Sequence, residues 1–404
     1  MITKINCNVI KVINILKNNG FEAYLVGGAV RDLLLNHKIN DYDITTNAYP
    51  EIIKKLFNDY KIYDIGEKFG TIGVCIDDEI IEITTYRYDV NYIKHRKPNE
   101  VLFGCSLEED LKRRDFTINA IAYDPIDNKM IDYYNGIKDV EDKIIKCVGD
   151  PIERFNEDAL RIIRAIRFKA TLGFDIESKT NDAIKMLYHN INFLHYERIA
   201  AELKKIICGK NFINIINDYS FVLKELLDIF MYDFNDPSNE EDYIDKILIM
   251  YHNNQDILYD DMKKLMIKKD TINFLYRVFD ILNKVDFNDY KCIRSYIKDN
   301  NINSFKKALY IKNRIKKINE FEYLEYMNNI DIAFSGCYSL KKLAINGNDL
   351  KKIYPKTEIK NILNFILEKV IKEELENDKK IIMEYIKCHF FNDQNNWFFL
   401  ENKI

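Results

Sequence analysis

Apolar residues recur every three or four positions through Ile5, Val9, Ile10, Val12, Ile13 and Leu16, which predicts an amphipathic helix over residues 4–19 that stops at Asn18-Asn19-Gly20. Tyr24-Leu25-Val26 then reads as a short strand, Gly27-Gly28 as a turn, and Val30, Leu33 and Leu34 as the buried face of a second helix. Asp41-Tyr42-Asp43-Ile44 has the period of a strand, and a helix follows from about Pro50 to Phe57. Short β signals at 62–65, 70–76 and 79–86 surround Asp77-Asp78, which fits the turn of a hairpin. Residues 88–105 read as loop. From Pro151 onward the periodicity is helical to the end, with few Gly or Pro breaks. The expected fold is therefore α+β: an N-terminal head with a small mixed β-sheet, followed by an all-α remainder. The sharpest boundary falls near residue 150, with softer ones near Gly209 and at 327–340, giving segments 1–149, 150–210, 211–326 and 327–404.

Composition changes this picture little. A chain of 404 residues that is 47% hydrophobic and 31% charged is globular and long enough for several cores. A net charge of −4 excludes a uniformly basic coat, so a polyanionic partner must meet a local basic surface. The 8 cysteines contain no Cys-x-x-Cys pair and fit reduced thiols better than a disulfide frame or a zinc site. With no apolar run long enough to span a bilayer and no signal-like N-terminus, a cytoplasmic protein without membrane contact is expected.

The candidate chemistry begins at the glycine turn. Two glycines without Cβ let the backbone approach a ligand, and their place between strand and helix suits a phosphate. Asp41 and Asp43, two apart in a strand, share one face while Tyr42 and Ile44 share the other. Adjacent carboxylates repel unless a hard cation lies between them, and Mg²⁺ is the expected one. The bland alternative is an edge strand with solvated aspartates. Glu82 is the candidate third carboxylate on that face, or simply a solvated one. His95-Arg96-Lys97-Pro98 is a basic cluster that contacts substrate or forms a solvated loop tip.

Two further clusters follow. Arg113-Arg114-Asp115, with Asn119 four residues on, would set Asp115 and Asn119 on one helical face beside Arg114. Guanidinium suits phosphate, and Asp with Asn suits ribose hydroxyls; a charged helix end is the plainer reading. Asp158 and Arg161, three apart, would be neighbours on a helix. Cytosine and adenine each present an amine donor beside a ring-nitrogen acceptor, which a carboxylate and a guanidinium would match. Guanine and uracil present a carbonyl where the amine would be, so the fit fails and the base is rejected. An ordinary i,i+3 ion pair is the alternative. Arg164 and Arg167 continue the spacing, but at ~100° per residue Arg167 lies about 180° from Asp158, so all four cannot touch one base. These two would reach a triphosphate or tie the helix to the head.

Taken in order, Gly27-Gly28-Ala29-Val30-Arg31-Asp32 with Asp41-Tyr42-Asp43, Arg113-Arg114-Asp115-Phe116-Thr117-Ile118-Asn119-Ala120, and Glu157-Asp158-Ala159-Leu160-Arg161 resemble the motifs of the class II CCA-adding enzymes. These are tRNA nucleotidyltransferases of the DNA polymerase β-like superfamily. Phe69-Gly70-Thr71-Ile72, Asp132-Tyr133-Tyr134-Asn135-Gly136, Glu197-Arg198-Ile199 to Glu202-Leu203 and Asn346-Gly347-Asn348-Asp349 fit the same pattern. The resemblance implies a catalytic head (1–149), a base-recognising neck (150–210), a helical body (211–326) and a tRNA-gripping tail (327–404). It implies that Asp41 and Asp43 carry catalysis and hold Mg²⁺, that Gly28 and Arg31 bind the triphosphate, and that Arg114 and Asp115 contact the ribose region. Asp158, Arg161, Arg164 and Arg167 would bind the nucleotide. The implied activity is template-independent addition and repair of the 3′-terminal CCA of tRNA from CTP and ATP, by two-metal transfer with release of diphosphate. A partial enzyme adding only CC or only A is the nearest alternative, and a bacterial poly(A) polymerase a further one. A catalytically dead nucleotide binder would have no need of two facing carboxylates. One departure concerns Lys352-Ile353-Tyr354-Pro355-Lys356-Thr357, which lacks the glycines of the family's tail motif.

Overall fold

The structure is a computed structural model that describes residues 5–92, 98–297, 301–316, 318–393 and 396–399. The chain divides into two compact units, one made mainly of residues 1–233 and the other mainly of residues 244–259 and 267–404.

In the first unit, helix α1 (Cys7–Asn18) is capped by the Asn6 side chain, which accepts from the Asn8 N–H, and its stripe Val9, Val12, Ile13 and Leu16 is buried. Strand β1 (Ala23–Val26) leads through Gly27 into α2 (Gly28–Leu34), and β2 (Asp43–Thr46) precedes α3 (Pro50–Leu56). The β signals further on form β3 (Lys61–Gly66), β4 (Thr71–Ile76) and β5 (Glu79–Thr85). Asp77 and Asp78 both take positive φ, 47° and 62°, as a two-residue hairpin turn of the type that matches strand twist requires.

Residues 88–105 are not loop throughout. Strands β6 (Arg87–Tyr92) and β7 (Pro98–Phe103) pair antiparallel, with Arg87 opposite Phe103 and Tyr92 opposite Pro98. Their backbone groups pair with each other, and Tyr88, Val101 and Phe103 are residue types that favour strands. His95, Arg96 and Lys97 lie outside the described residues.

Helix α4 (Leu107–Lys112) starts with a capping box made by Ser106 and Glu109. It ends before Asp115, contrary to the helical face expected through Asn119: Phe116 is extended, and a single 3-10 turn covers Thr117–Asn119. Strands β8 (Ile121–Asp124) and β9 (Lys129–Asp132) complete a seven-stranded sheet in the order β3-β4-β5-β2-β1-β8-β9. All its pairings are antiparallel except β2 with β5, which run parallel with Asp43 opposite Glu82. The expected mixed sheet is thus present, and its middle carries the acidic residues.

Helix α5 (Gly136–Glu141) and strand β10 (Ile144–Ile145) lead to α6 (Pro151–Glu157), which begins with Asp150 as cap and proline in its first turn. Asp158 breaks the helix at φ −143°, ψ 103°. Helix α7 (Leu160–Leu172) starts afresh and ends at Gly173 in the left-handed region. The continuous helix expected to carry Asp158 and Arg161 is therefore two helices meeting at Asp158. Strand β11 (Asp175–Ile176) pairs with β10, and α8 (Ser178–Leu187), α9 (Tyr196–Ile207) and α10 (Phe212–Leu223) follow.

Later helices are α11 (Tyr243–Met250), α12 (Leu258–Lys264), α13 (Lys269–Lys284), α14 (Tyr290–Tyr296), α15 (Ile302–Lys316), α16 (Glu320–Ser335), α17 (Gly347–Leu350), α18 (Lys356–Ile371) and α19 (Lys379–His389). In the second unit Ile345, Leu350, Ile362, Ile366, Ile382 and Ile386 form one apolar core. The expected helical run to the C-terminus ends instead in paired strands β12 (Phe390–Asp393) and β13 (Asn396–Phe399). No helix among the described residues is long and apolar enough to cross a membrane.

Candidate active site

Gly27 sits at φ +71°, ψ −137°, a conformation that glycine tolerates and other residues resist. A Cβ there would stand 3.4 Å from Asp43 Oδ2 and 3.5 Å from Arg114 Nη1, so the bare backbone forms the floor between these two groups. Asp41 is exposed just ahead of β2, Asp43 is half-buried at its start, and Tyr42 and Ile44 point into the core as the alternation requires. Burial pushes the Asp43 carboxyl up, Arg114 pulls it down, and Asp41 pushes it up again. Glu82, beside Asp43 on β5, is likewise raised by burial and then by Asp43 and Asp41. Three carboxylates thus oppose one another's charge, which is the condition a divalent cation relieves. Among the described residues no three His, Cys, Asp or Glu groups form a closed metal cage. Asp41 and Asp43 fit a cation as an open pair, with Glu82 as their neighbour.

Arg114 is aimed at this pair by Asp110, a wholly buried carboxylate. Asp110 accepts from Arg113 at 2.7 and 3.0 Å, from Arg114 at 3.4 Å and from the Thr45 hydroxyl at 3.1 Å. It also accepts from the Arg87 backbone N–H at 3.4 Å, where β6 begins. Burial alone would raise its carboxyl, but Arg113 and Arg114 hold it below the ordinary range. The buried Nε of Arg114 has no hydrogen-bond partner among the described residues, a donor available to an anionic ligand.

A second chain of contacts runs from the glycine turn to α7. The Arg31 guanidinium donates to Asp32 and, at 2.7 Å, to Asn119 Oδ1. Asn119 donates to Asp115 Oδ1 at 3.2 Å, and Arg164 donates to Asp115 Oδ2 from Nε at 2.7 Å and lies 2.6 Å from it at Nη2. Asp115 and Asn119 therefore meet, through a turn rather than along a helix. Arg31, Arg164 and Arg167 also surround the buried Phe168 ring at 5.2, 5.7 and 3.5 Å. Burial works to raise the Asp115 carboxyl, but Arg164 together with the hydrogen bonds from Asn119 and the Phe116 N–H more than offsets it and holds it at about 2.

Asp158 and Arg161 meet through the backbone, where the Arg161 N–H donates to the Asp158 carbonyl at 3.1 Å, while their side chains have other partners. Asp158 Oδ1 accepts from the Leu160 N–H at 3.1 Å, and Oδ2 pairs with Arg198 of α9 at 2.6 Å. Arg161, 7% exposed, donates to Glu157 at 2.7 Å and to the carbonyls of Arg154 and Arg113 at 3.0 Å each. Arg167 donates to Glu202 at 2.8 Å, and Arg164 reaches the same carboxylate at 3.5 Å. Arg164 thus ties α7 to Asp115, whereas Arg167 is turned to α9. Asp110, Phe168, Arg198 and Glu202 were not among the expected site residues. Asp110 shows in sequence as an acid three and four residues before Arg113 and Arg114, and Arg198 with Glu202 as a charged i,i+4 pair on a helix. Phe168 has no such signal.

Comparison with known proteins places these features among relatives. The family described as "Poly A polymerase head domain" matches residues 23–146, "Probable RNA and SrmB- binding site of polymerase A" matches 173–218, and "tRNA nucleotidyltransferase domain 2 putative" matches 236–386. The CCA-adding enzyme of Staphylococcus epidermidis is 34% identical over 399 residues, covering 93% of this chain and 96% of its own. That of Leuconostoc citreum is 50% identical over 195 residues, 48% of each chain. The crystal structure of the Bacillus stearothermophilus CCA-adding enzyme in complex with CTP superposes with a TM-score of 0.74 at 26% identity, over 94% of this chain and 97% of that one.

Proposed function

Because the chain belongs to the CCA-adding enzymes, we propose how its residues divide the work of that activity. The enzyme adds and repairs the 3′-terminal CCA of tRNA without a nucleic-acid template, using CTP and ATP and releasing diphosphate. The 3′-hydroxyl of the tRNA attacks the α-phosphate of the bound nucleotide in line, and the α–β bond breaks. Gly28 and Arg31 take the triphosphate, supported by the Asn119 contact that fixes the Arg31 guanidinium. Arg114 meets the phosphate–ribose region with its unpartnered Nε, and Asp115 lies beside it. Asp41 and Asp43 are the catalytic carboxylates and the seat of a divalent cation, read here as Mg²⁺, which when bound offsets phosphate charge and acidifies the attacking hydroxyl. Glu82 tunes that pair from the neighbouring strand.

Asp158 accepts from the amine of cytosine or adenine, and Arg161 donates to the adjoining ring nitrogen. Arg164 and Arg167 set the height of α7 through Asp115 and Glu202. The observation that carries this reading is the unbroken series Arg31–Asn119–Asp115–Arg164, which links the phosphate-handling turn to the base-reading helix. Residues 1–149 would act as head, 150–210 as neck, and 211–326 and 327–404 as body and tail in contact with tRNA. The cytoplasm is proposed as its place of work.

The test offers the enzyme tRNAs lacking three, one or none of their last nucleotides, with each NTP singly and together. Two cytidines followed by one adenosine, then arrest, is the expected product. A long tail from ATP alone, or arrest after the cytidines with ATP present, refutes it. Arg161→Ala is expected to lose preference for C and A over U and G while metal binding persists; unchanged preference removes Arg161 from base reading.

A further inference from the structure

We propose that Arg198 is a positioning residue for base selection, held away from the nucleotide by Asp158, and that its release admits the bases the enzyme rejects. The inference rests on the assignment of base reading to Asp158. Its geometric basis is the difference between Arg198 and its neighbours. Arg161 has three acceptors around it, Arg164 has Asp115 and Glu202, and Arg167 has Glu202 and the Phe168 ring. The Arg198 side chain, 27% exposed, pairs with Asp158 alone among the described residues.

The chemistry follows from that single tether. A carboxylate offers about four lone-pair sites, so Asp158 can keep the Leu160 N–H and Arg198 and still accept an amine from cytosine or adenine. Uracil and guanine bring a carbonyl oxygen to the same place, where it meets carboxylate oxygen and is repelled. A guanidinium at that place would instead donate to the carbonyl. Asp158 therefore has two effects: it accepts from the correct base, and it occupies the donor that would welcome the wrong one. Removing its carboxylate releases Arg198 toward the base edge, since Glu202, the acid one turn along α9, is already held by Arg164 and Arg167.

The experiment measures kcat and KM for CTP, ATP, UTP and GTP separately on tRNA lacking its terminal nucleotides. It uses the full-length wild type, Asp158→Ala, Arg198→Ala, Arg198→Lys and the double variant Asp158→Ala/Arg198→Ala. A hydrogen bond to a charged group corresponds to about tenfold to hundredfold, so Asp158→Ala should raise the UTP-to-CTP ratio of kcat/KM by that amount. The double variant should return UTP use toward the wild-type level, with CTP use as poor as in Asp158→Ala. Arg198→Ala alone should raise KM for CTP and ATP about fivefold through loss of a charged tether while kcat changes little, and Arg198→Lys should restore part of the KM. Circular dichroism melts and direct titration with UTP establish that each variant is folded and report the same order of affinities. If Asp158→Ala gains UTP use that persists undiminished in the double variant, the role of Arg198 is refuted and base reading by Asp158 stands. If Asp158→Ala keeps the wild-type preference, the base-reading assignment itself falls, and this inference with it.

Discussion

Asp115→Asn removes one charge and almost no volume from the joint between the head and α7, so its effect isolates the ion pair with Arg164. The carboxyl lies at about 2 in the folded protein, against an ordinary value near 3.9. A difference of that size corresponds to roughly 2–3 kcal/mol of stability. The Asp115 side chain is only 10% exposed, so solvent screening takes little from this figure, whereas Arg164 at 33% can recover some hydration once its partner is gone. An expected loss of about 2 kcal/mol at neutral pH results. The folded-state value is depressed, so the contribution is present in full above about pH 4 and is lost as pH falls through about 2. Wild type and Asp115→Asn should therefore differ by a constant amount from neutral pH to pH 5, and the difference should shrink in more acid solution. Hydrogen exchange of α7 peptides in the full chain is the sensitive assay, because it reads local opening in a protein of two units. Protection should fall about thirtyfold at neutral pH, which is the same 2 kcal/mol expressed as an equilibrium. Equal protection in α7 would show that Arg164 and Asp115 contribute no net energy to the joint. A urea-unfolding difference that persisted unaltered to pH 3 would refute the assignment of the charge to Asp115.

Other outcomes follow from the same geometry. Asp43→Asn should abolish nucleotide transfer by at least about a thousandfold while CTP still binds, since the phosphate and base contacts remain; near-normal turnover at saturating Mg²⁺ would remove Asp43 from catalysis. Gly136→Ala would place a Cβ 2.1 Å from the Thr117 carbonyl oxygen, so α5 must move away from the 3-10 turn that carries Asn119, and a loss of about 3 kcal/mol by chemical denaturation is expected. A variant as stable as wild type would show that the turn yields freely. Asn119→Leu cuts the contacts with Arg31 and Asp115 together, and steady-state kinetics should show a higher KM for both CTP and ATP; an unchanged KM for both would mean that Arg31 is held well enough by Asp32.

Much of the local structure could be read without coordinates because local forces set it. The stripe of α1, its stop at Asn18-Asn19-Gly20, the Asp77-Asp78 turn and the alternation that turns Tyr42 and Ile44 inward all depend on neighbours within a few residues. Where the expectation failed, a competing interaction from elsewhere decided the matter. Residues 88–105 are the exception: β6 and β7 pair as near neighbours in sequence, and reading the segment as loop missed a local pairing rather than a distant one. The helix expected through Asp115 stops at Lys112, and Asp115 instead reaches Asn119 within a turn and Arg164 across 49 positions. The break at Asp158 likewise accompanies its pairing with Arg198, 40 positions away.

By itself the sequence determined the chemical inventory: a glycine turn for phosphate, two carboxylates on one strand face, arginines and an aspartate suited to a base, and the resemblance that joins them. Spacing along a strand is a short-range property, so a common face for Asp41 and Asp43 could be expected from sequence alone, although Asp41 stands just ahead of β2 rather than within it. Which charge neutralises which is a long-range property. Every arginine of the motifs had several acids within plausible reach, and a one-dimensional spacing contains no distance between separate elements. Only the tertiary structure matched Arg161 to Glu157 rather than Asp158, Asp158 to Arg198, and Arg164 to Asp115. Burial is the physical reason those matches matter: a charge removed from water must find a partner in fixed geometry, and the fold alone decides which partners it can reach.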